Sequence, residues 1–430
     1  MREMKDSGIE WIGDIPLEWY TVPFRAYVNE RVERNKGNKT DELLALSFAL
    51  GVTLYKDKIY NKDRVKEDFE DYKIVHKNDL VLSPNDIIKG SIYVSPYYGC
   101  ISPMYYIFEP RYIKTHSLYY LSYLLRTKEA GLRFFYIARG LIGSILDNGK
   151  YVTRRMTVSR QDLLTFKVLL PPIKEQLKIV AFLDTKCAEI DSLSADIQCE
   201  IETLEAYKRS VITEAVTKGL NPDVETKKSE IFYMAPYNKK WRLSKIGYEC
   251  FKLQRTFLPE DNPLICTNKG KVIIRPEDIT GKMVSEDNAM QGIHKGDIAI
   301  HGMDTWHGAI ALSEHSGKIT RVVHVCDSKQ DKRFIVYYLQ QLAFNGVYKL
   351  ISNGVRGNTS DFRSWEKVKD IYIALPSIEE QIEISNFLDR ICSEIDSIIS
   401  QKKEQINVLA DYKKSLIYEY VTGKKEVPIE

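Results

Sequence analysis

The stretch PPIKEQLKIVAFLDTKCAEIDS at residues 171–192 returns as PSIEEQIEISNFLDRICSEIDS at residues 376–397, at a constant offset of 205 residues. The match continues without a gap to residue 219, for example where Tyr207 meets Tyr412. Agreement of this length indicates an internal repeat, so the chain consists of two halves that end in the same segment. The clearest identical pairs are Pro171 and Pro376, Glu175 and Glu380, Gln176 and Gln381, Phe182 and Phe387, Leu183 and Leu388, Asp184 and Asp389, Cys187 and Cys392, and Ile190 and Ile395.

The repeated segment is predicted to be a long helix. Pro171 and Pro172 stand where a helix can begin, Glu175 lies in the first turn, and Gly219 supplies a stop. Apolar residues then recur every seventh residue, which is typical of a coiled coil. At 1.5 Å per residue such a helix extends roughly 60 to 65 Å and needs a partner of equal length, for which the other copy is the obvious candidate. The apolar seam consists of Leu183, Ile190, Ile197, Leu204 and Val211 in the first copy and of Leu388, Ile395, Leu409 and Leu416 in the second.

Three lysines disturb this seam. Lys402 interrupts the apolar seam of the second copy, and Lys208 and Lys413 stand between successive apolar residues of the seam in the two copies. These lysines predict exposed stretches or contacts with another chain. A single amphipathic helix is more often packed on its own domain than paired. Two matched copies favour pairing.

The composition is that of a folded chain with several domains. The 430 residues carry 62 basic and 59 acidic side chains, a net charge of +3, so a nucleic-acid surface must come from local patches. The seven cysteines are scattered, with no C-x-x-C pair, which favours reduced thiols over a structural zinc site. The charged N-terminus does not resemble a signal peptide, and we find no run of about 18 apolar residues, so we expect a cytoplasmic protein.

The two halves also correspond outside the helix, in a second alignment with a different offset. There KNDLVLSPNDIIKGSIYVSPYYGCIS (77–102) meets KGDIAIHGMDTWHGAIALSEHSGKIT (295–320), with Asp79, Gly90 and Gly99 in the positions of Asp297, Gly308 and Gly317. Alternating apolar residues between the glycines predict short strands joined by turns. We expect one fold in both halves, with loops that differ in length and bind different ligands.

These motifs together resemble the specificity subunits of type I restriction-modification systems. The resemblance rests on the Leu-Pro-Pro-x-x-Glu-Gln pattern at Leu170 to Gln176, followed by Phe182-Leu183-Asp184. The order is completed by TKGLNP at residues 217–222 and SGIEWIG at residues 7–13. The chain departs from internal symmetry where Pro376 is followed by serine and where no counterpart of the opening SGIEWIG precedes the second half.

The resemblance implies an α+β fold in which two similar globular target recognition domains are separated and joined by two long antiparallel coiled-coil helices. The expected divisions are a first recognition domain at 1–170, a spacer helix at 171–220, a second recognition domain at 221–375 and a second helix at 376–430. Each domain is expected to bind one half of an asymmetric bipartite site in double-stranded DNA, with the helices setting the distance between the halves.

The resemblance also implies partners. Two methyltransferase (modification) subunits are expected on the helices, and restriction or translocase subunits join through the complex. This chain should bind no cofactor or metal itself, with S-adenosylmethionine, ATP and Mg²⁺ on the partner subunits. The helix residues expected at subunit interfaces are Glu175, Gln176, Phe182, Leu183, Ile190, Glu380, Gln381, Phe387, Leu388 and Ile395.

Base recognition needs side chains with donors and acceptors at base edges, and phosphate contacts need cations or neutral donors. Polar loops that carry both are therefore our DNA-binding candidates, although a charged run is more often a solvated face. In the first half these are Lys36, Asn38, Lys39, Asn85, Lys89, Ser91, Asn148, Lys150, Tyr151, Arg154 and Arg155. In the second half they are His301, Asp304, Trp306, His307, Asn353, Arg356, Asn358, Thr359, Ser360 and Arg363.

Other functions remain as alternatives. His301, Asp304 and His307 suggest a metal site, but in a strand and turn this spacing is not expected to converge. A nuclease or methyltransferase should show a phosphate-binding glycine motif or an Asn-Pro-Pro-aromatic segment, and we find neither. A coiled-coil adaptor that binds only protein has no need of two similar domains with different polar loops. A specificity subunit of a related fused restriction-methylation system stays open.

Overall fold

The computed structural model falls into two compact units: unit 1 comprises Met1–Asp196 with Gln405–Glu430, and unit 2 comprises Ile197–Glu404. Each unit therefore contains one globular half together with a part of each long helix. The predicted domain boundaries remain predictions, because this division cuts through both helices. The structure describes residues 2–48, 50–57, 69–140, 144–145, 151–152, 156–276, 289–352 and 361–428.

Unit 1 is built from short strands and helices. Its strands are β1 Met4–Asp6, β2 Asp14–Pro16, β3 Tyr20–Pro23, β4 Val28–Glu30, β5 Leu44–Ser47, β6 Gly51–Leu54, β7 Lys73–Val75, β8 Leu80–Leu82, β9 Ile92–Val94, β10 Gly99–Ile101, β11 Tyr106–Pro110, β12 Ser144–Ile145, β13 Tyr151–Val152 and β14 Lys167–Leu170. Its helices are α1 Phe24–Tyr27, α2 Leu118–Leu125, α3 Lys128–Ile137, α4 Arg160–Thr165 and the start of α5 Ile173–Lys218.

Unit 2 repeats this plan. Its strands are β15 Thr226–Lys227, β16 Tyr237–Asn238, β17 Arg242–Lys245, β18 Cys250–Lys252, β19 Leu264–Thr267, β20 Lys271–Ile274, β21 Met290–Ile293, β22 Ile298–His301, β23 Ile310–Leu312, β24 Gly317–Thr320, β25 Val323–Ser328 and β26 Tyr372–Leu375. Its helices are α6 Ile246–Glu249, α7 Lys332–Phe344, α8 Val347–Leu350, α9 Trp365–Lys369 and most of α10 Ile378–Val421.

A four-stranded antiparallel sheet lies at the centre of each unit. The strand order is β4-β11-β8-β9 in unit 1 and β18-β25-β22-β23 in unit 2. Leu80 pairs with Val94 in the first sheet, and their counterparts in the second alignment, Ile298 and Leu312, pair with each other in the second sheet. The strands β8 and β22 consist almost entirely of buried apolar residues, because the sheet is covered on both faces. The prediction of an α+β fold with one plan in both halves is confirmed.

Each unit holds its part of a long helix by a buried glutamine. The side-chain oxygen of Gln176 accepts a hydrogen bond from the backbone N–H of Ser117, the residue that caps α2 (2.8 Å). Gln381 accepts in the same way from Asp331, the residue that caps α7 (3.0 Å). Both glutamines are fully buried. Since a buried amide must be satisfied, this pattern fixes the helix start against the globular half of each unit.

Aromatic side chains secure the same two helix starts. The indole N–H of Trp19 donates to Glu175 (2.8 Å), and that of Trp241 donates to Glu380 (3.1 Å). Further along each helix, the hydroxyl of Tyr123 donates to Asp184 and that of Tyr337 to Asp389, both at 2.7 Å. The matched contacts explain why these residues recur in both copies of the repeat.

Within each unit the two helix segments run antiparallel. In unit 1, Phe182 packs on Tyr420 with ring centroids 4.5 Å apart, and Lys413 pairs with Asp191 at 2.6 Å. In unit 2, the equivalent ion pair joins Lys208 to Asp396 at 2.6 Å.

The lysines of the seam are therefore paired within their own unit. Lys402 bonds to Glu200 in unit 2, and the pairs of Lys208 and Lys413 are the same contact in two copies. Their ammonium groups neutralise carboxylates on the neighbouring helix, and a contact of these lysines with another chain stays a prediction. Among the described residues, no helix is both long and apolar enough to cross a membrane.

Candidate nucleic-acid interface

The same turn leaves the central sheet in both units. After β8 the chain forms a 3₁₀ turn at Ile87–Lys89, which ends at Gly90 with φ of 83°. After β22 it forms a 3₁₀ turn at Thr305–His307, which ends at Gly308 with φ of 79°. The positive φ requires glycine at this point, which explains the matched glycines. We call residues 83–91 the first reading turn and residues 301–309 the second reading turn.

In each unit, a residue that follows the loop with the remaining DNA-binding candidates bonds to the turn. In unit 1 the carbonyl oxygen of Pro84 accepts from the backbone N–H of Val158 (3.0 Å). In unit 2 the carbonyl oxygen of Gly302, the counterpart of Pro84 in the second alignment, accepts from Phe362 (3.0 Å). Val158 and Phe362, which follow the loops that carry the other candidates, are thereby bonded to the turns in the same way in both units.

Most of the candidates on those loops fall outside the described residues. For Tyr151 only the backbone, in β13, is described. The candidates outside the described residues are Asn148, Lys150, Arg154, Arg155, Asn353, Arg356, Asn358, Thr359 and Ser360.

The first reading turn presents an exposed cation. The side chain of Lys89 is 72% exposed, and its ammonium group lies 3.7 Å from Asp86. The amide oxygen of Asn85 accepts a hydrogen bond from the Thr157 hydroxyl (2.7 Å), so one of its hydrogen-bonding groups is already used within the protein. Ser91 is buried and takes part through its backbone only, donating to the carbonyl of Asp86, which favours a structural role. Exposed Arg126 lies beside Gly90 and adds a second cation.

The second reading turn gathers four of the predicted residues. The carboxylate of Asp304 lies 3.3 Å from Nδ1 of His301 and 4.0 Å from Nδ1 of His307. Trp306 packs under the ammonium group of Lys349, which is 5.9 Å from the ring centroid. The tight turn thus places the Asp304 carboxylate near both histidine rings. No group of three His, Cys, Asp or Glu side chains in the described parts of the chain has the geometry of a metal site.

Burial distinguishes the histidines of unit 2. Burial lowers the pKa of His301, although the nearby Asp304 carboxylate acts in the opposite direction. Burial likewise lowers the pKa of His324, whose Nε2 lies 2.7 Å from the carbonyl oxygen of Phe362. Protonating either ring is therefore less favourable than protonating an exposed histidine. The His307 side chain, at 49% exposure, is open to solvent. Arg363 is also exposed, and its guanidinium contacts the sulfur of Met303 (2.8 Å).

The third group of candidates lies on a different loop of unit 1. Lys36, Asn38 and Lys39 follow β4, and Asn38 takes a positive φ of 49°. Lys39 is ion-paired with Glu33 at 2.7 Å, and this pairing is the main cause that lowers the pKa of the Glu33 carboxyl. Lys36 and Asn38 are exposed, and Lys39 is partly neutralised.

Sequence reasoning missed one ion pair that shapes both reading turns. Arg31 bonds buried Asp79 at 2.7 Å, and Arg255 bonds buried Asp297 at 2.6 Å. Each aspartate immediately precedes the strand that leads into a reading turn, and it also accepts from a backbone N–H three residues earlier. The match of Asp79 with Asp297 in the sequence was the available signal, since a carboxylate kept in two buried positions needs a cation.

The helix residues predicted at subunit interfaces face inward. Gln176, Leu183, Ile190, Gln381, Leu388 and Ile395 are buried in their own units, and Glu175 and Glu380 are bonded to tryptophans. Phe182 packs on Tyr420, and Phe387 packs partly in the core of unit 2. These side chains hold the helices in place. Their role toward another subunit remains a prediction.

A different set of helix residues is exposed, apolar and repeated. Leu193 and Ile398 are 48% and 42% exposed, and they are related by the offset of 205 residues. Tyr207 and Tyr412, related by the same offset, are 53% and 55% exposed. Unit 1 thus carries Leu193 and Tyr412, and unit 2 carries Ile398 and Tyr207. We call these two pairs the exposed helix pairs.

Two copies of one α+β unit, each with a glycine-ended polar turn and a share of two paired helices, define a duplicated binding protein. Residues 238–408 match the family model of the type I restriction modification DNA specificity domain. The chain is similar to the specificity subunits of type I restriction-modification systems.

Known relatives extend over nearly the whole chain. A Methanocaldococcus jannaschii chain assigned as the specificity subunit of the type I restriction enzyme MjaX is 24% identical, covering 97% of this chain and 96% of its own length. The MjaVIII specificity subunit of the same organism is 22% identical, with 96% and 94% covered. A solved chain from work on complex assembly and conformational transition of the type I restriction-modification system shares the fold, with a TM-score of 0.68 at 13% identity, covering 96% of this chain and 99% of that one.

Proposed function

We propose that this chain recognises an asymmetric, bipartite site in double-stranded DNA, with one half-site bound by each unit, for a type I restriction-modification complex. The chain is a non-catalytic recognition subunit of that complex. The proposal of a bipartite site rests on the repetition of one reading turn, which follows the equivalent strand of the central sheet in each unit and carries different side chains in the two units. Two similar scaffolds with unlike polar surfaces suit two different half-sites.

The paired helices supply the second part of the proposal. Their antiparallel contacts are internal, and the residues that make them recur in both copies, which suits a constant element beside variable ones. We propose that the helices set the number of unread base pairs between the half-sites. A bipartite site with a fixed spacer is the expected consequence.

Partner binding is proposed at the exposed helix pairs. Exposed apolar side chains at repeated positions of a helix surface are candidates for a protein interface. Because Leu193 with Tyr412 repeats as Ile398 with Tyr207, one kind of partner can bind twice, once on each unit. We propose two copies of the methyltransferase subunit as these partners, with the restriction subunits joining through the complex. S-adenosylmethionine, ATP and Mg²⁺ would then be bound by those partners. We place the complex in the cytoplasm, where cellular DNA is accessible to it.

Genetic and biochemical experiments test this proposal. The chain purified with its methyltransferase subunits should methylate DNA at one bipartite motif, whereas the chain alone should transfer no methyl group from S-adenosylmethionine. A variant that lacks residues 376–430 should fail to assemble an active complex, because it loses both the second helix and the partner of the first. Methyl transfer by the isolated chain, or normal methylation by the truncated variant, would refute the proposal.

The alternative of a coiled-coil adaptor predicts no DNA binding. It is distinguished by measuring the affinity of the purified complex for a duplex with the motif and for the same duplex with one half-site scrambled. Equal affinities for both duplexes favour the adaptor. A fused restriction-methylation system differs only in its partners, which purification from the native source identifies.

A further inference from the structure

The two reading turns keep one exposed basic residue in the same place. Lys89 and His307 are counterparts in the second alignment, and each stands immediately before the glycine that ends the turn. Each also lies near the aspartate three residues earlier, at 3.7 Å for Lys89 and 4.0 Å for His307. Their side chains are 72% and 49% exposed. The position therefore holds a basic residue in both units, although the residue type differs.

The neighbouring positions of the turns differ in chemical kind. Asn85 is replaced by Met303 and Ile88 by Trp306. A position that changes its hydrogen-bonding groups between two half-site readers suits recognition of different bases. A position that keeps only a basic residue suits a contact that is the same in every sequence, and in DNA that contact is the phosphate.

We propose that Lys89 and His307 bind equivalent DNA phosphates in the two half-sites, so that proton uptake accompanies DNA binding in unit 2 but not at this position in unit 1. The inference rests on the proposed DNA-binding function and adds the residues and their charge state to it. A lysine keeps its charge throughout the neutral range, whereas histidine side chains change charge between about pH 5 and pH 8.

The surroundings of His307 agree with this role. Asp304 is the acidic group that faces it, and His301 shares that carboxylate. Lys349 on α8 lies over Trp306, and exposed Arg363 contacts Met303. Two cations and one carboxylate thus lie at the turn, which favours an anion at this surface. Burial lowers the pKa of His301, and His307 is the more exposed of the two rings.

The sign of the pH dependence follows from linkage. A phosphate stabilises the imidazolium form of the ring, so the DNA complex holds more protons at this position than the free protein does. Affinity is then highest at low pH and falls as the pH rises through the histidine range, by up to about tenfold per pH unit for one proton. Lys89 contributes no such change.

The test uses the full chain assembled with its methyltransferase subunits. The DNA is a duplex that contains the motif at which this complex methylates. Fluorescence anisotropy gives Kd from pH 6 to pH 8 for the parent complex and for the variants His307→Lys, His307→Gln and Lys89→His. We expect His307→Lys to remove the contribution of residue 307 to the change of Kd between pH 6 and pH 8. Lys89→His should add a second contribution of similar size. His307→Gln should bind more weakly than the parent at pH 6, and the two should converge at pH 8.

The outcomes separate the inference from the function on which it rests. If the His307→Lys profile runs parallel to that of the parent complex, the inference is wrong while DNA recognition stands. If the parent complex binds motif and scrambled duplexes equally at every pH, the proposed function itself fails. Salt dependence gives an independent readout, since Lys89→Gln should reduce the slope of log K against log salt by about 0.9. An unchanged slope would also overturn the phosphate contact.

Discussion

Replacing Gln176 by alanine tests the interpretation that a buried amide fixes α5 to unit 1. The Gln176 side chain accepts from the Ser117 N–H (2.8 Å) and the Tyr27 hydroxyl (2.7 Å), and donates to the Pro171 carbonyl (2.7 Å) and the Thr115 carbonyl (3.0 Å). In the variant the Tyr27 hydroxyl can turn to the carbonyl of Ser117, which is 3.0 Å away. The Ser117 N–H and the Pro171 carbonyl have no such substitute.

The expected cost follows from these two losses. A buried donor or acceptor left without a partner costs about 1 to 3 kcal/mol, so the two losses in Gln176→Ala should lower the free energy of unfolding of unit 1 by about 2 to 6 kcal/mol. Urea unfolding followed by circular dichroism measures this change. The matched control is Lys178→Ala, two residues along α5 on its exposed surface, which should change the free energy by less than about 0.5 kcal/mol.

The result that refutes this reasoning is an unfolding curve of Gln176→Ala that coincides with that of the control. If unfolding occurs in two steps, the step that belongs to unit 1 should move while the other stays, because the contacts of Gln381 in unit 2 are untouched. A shift confined to unit 2 would equally contradict the assignment.

Three further predictions concern unit 2, the exposed helix pairs and the half-sites. Hydrogen bonding and charge from Arg242 lower the pKa of Glu249 from 4.5 to about 2, so the stability that this carboxylate contributes is present above pH 4.5 and is lost as the pH falls toward 2. Glu249→Gln should therefore make stability depend less on pH in this range, as measured by acid unfolding followed by fluorescence. An unchanged unfolding profile contradicts the role of Glu249. Ile398→Asp should release one of the two methyltransferase copies, as measured by chromatography with mass detection. The control Ser400→Asp, an equal charge change two residues away, should keep both copies. Loss of both copies in either variant argues against binding at the exposed helix pairs. Exchanging residues 1–170 for those of a relative should change one half of the methylated motif and leave the other half, and a change in both halves contradicts the division of labour.

The sequence repeat predicted the fold because its causes are local and duplicated. Heptad periodicity and the stop at Gly219 predict the helix, and α5 and α10 begin at Ile173 and Ile378, 205 residues apart as the repeat requires. The match of Gly90 with Gly308 predicted the common turn, because only glycine readily takes its positive φ. Both predictions needed only the pattern along the chain.

The site was predicted less completely, because burial and partners depend on distant parts of the chain. Gln176 was expected to face a partner subunit, yet Ser117 supplies the hydrogen bond that makes its burial favourable. The lysines of the seam were expected to be exposed or to contact another chain, since the periodicity does not reveal that Asp191 and Asp396 lie opposite them. Which side chains contact bases remains a prediction, because it depends on loops outside the described residues and on the shape of the bound DNA.

The most direct test of the central claim is methylome sequencing of cells with and without this gene. The account predicts one methylated motif that depends on the gene and consists of two unlike specific halves with a spacer of fixed length between them. A dependent motif that is continuous, or a methylome that does not change when the gene is removed, would contradict the account.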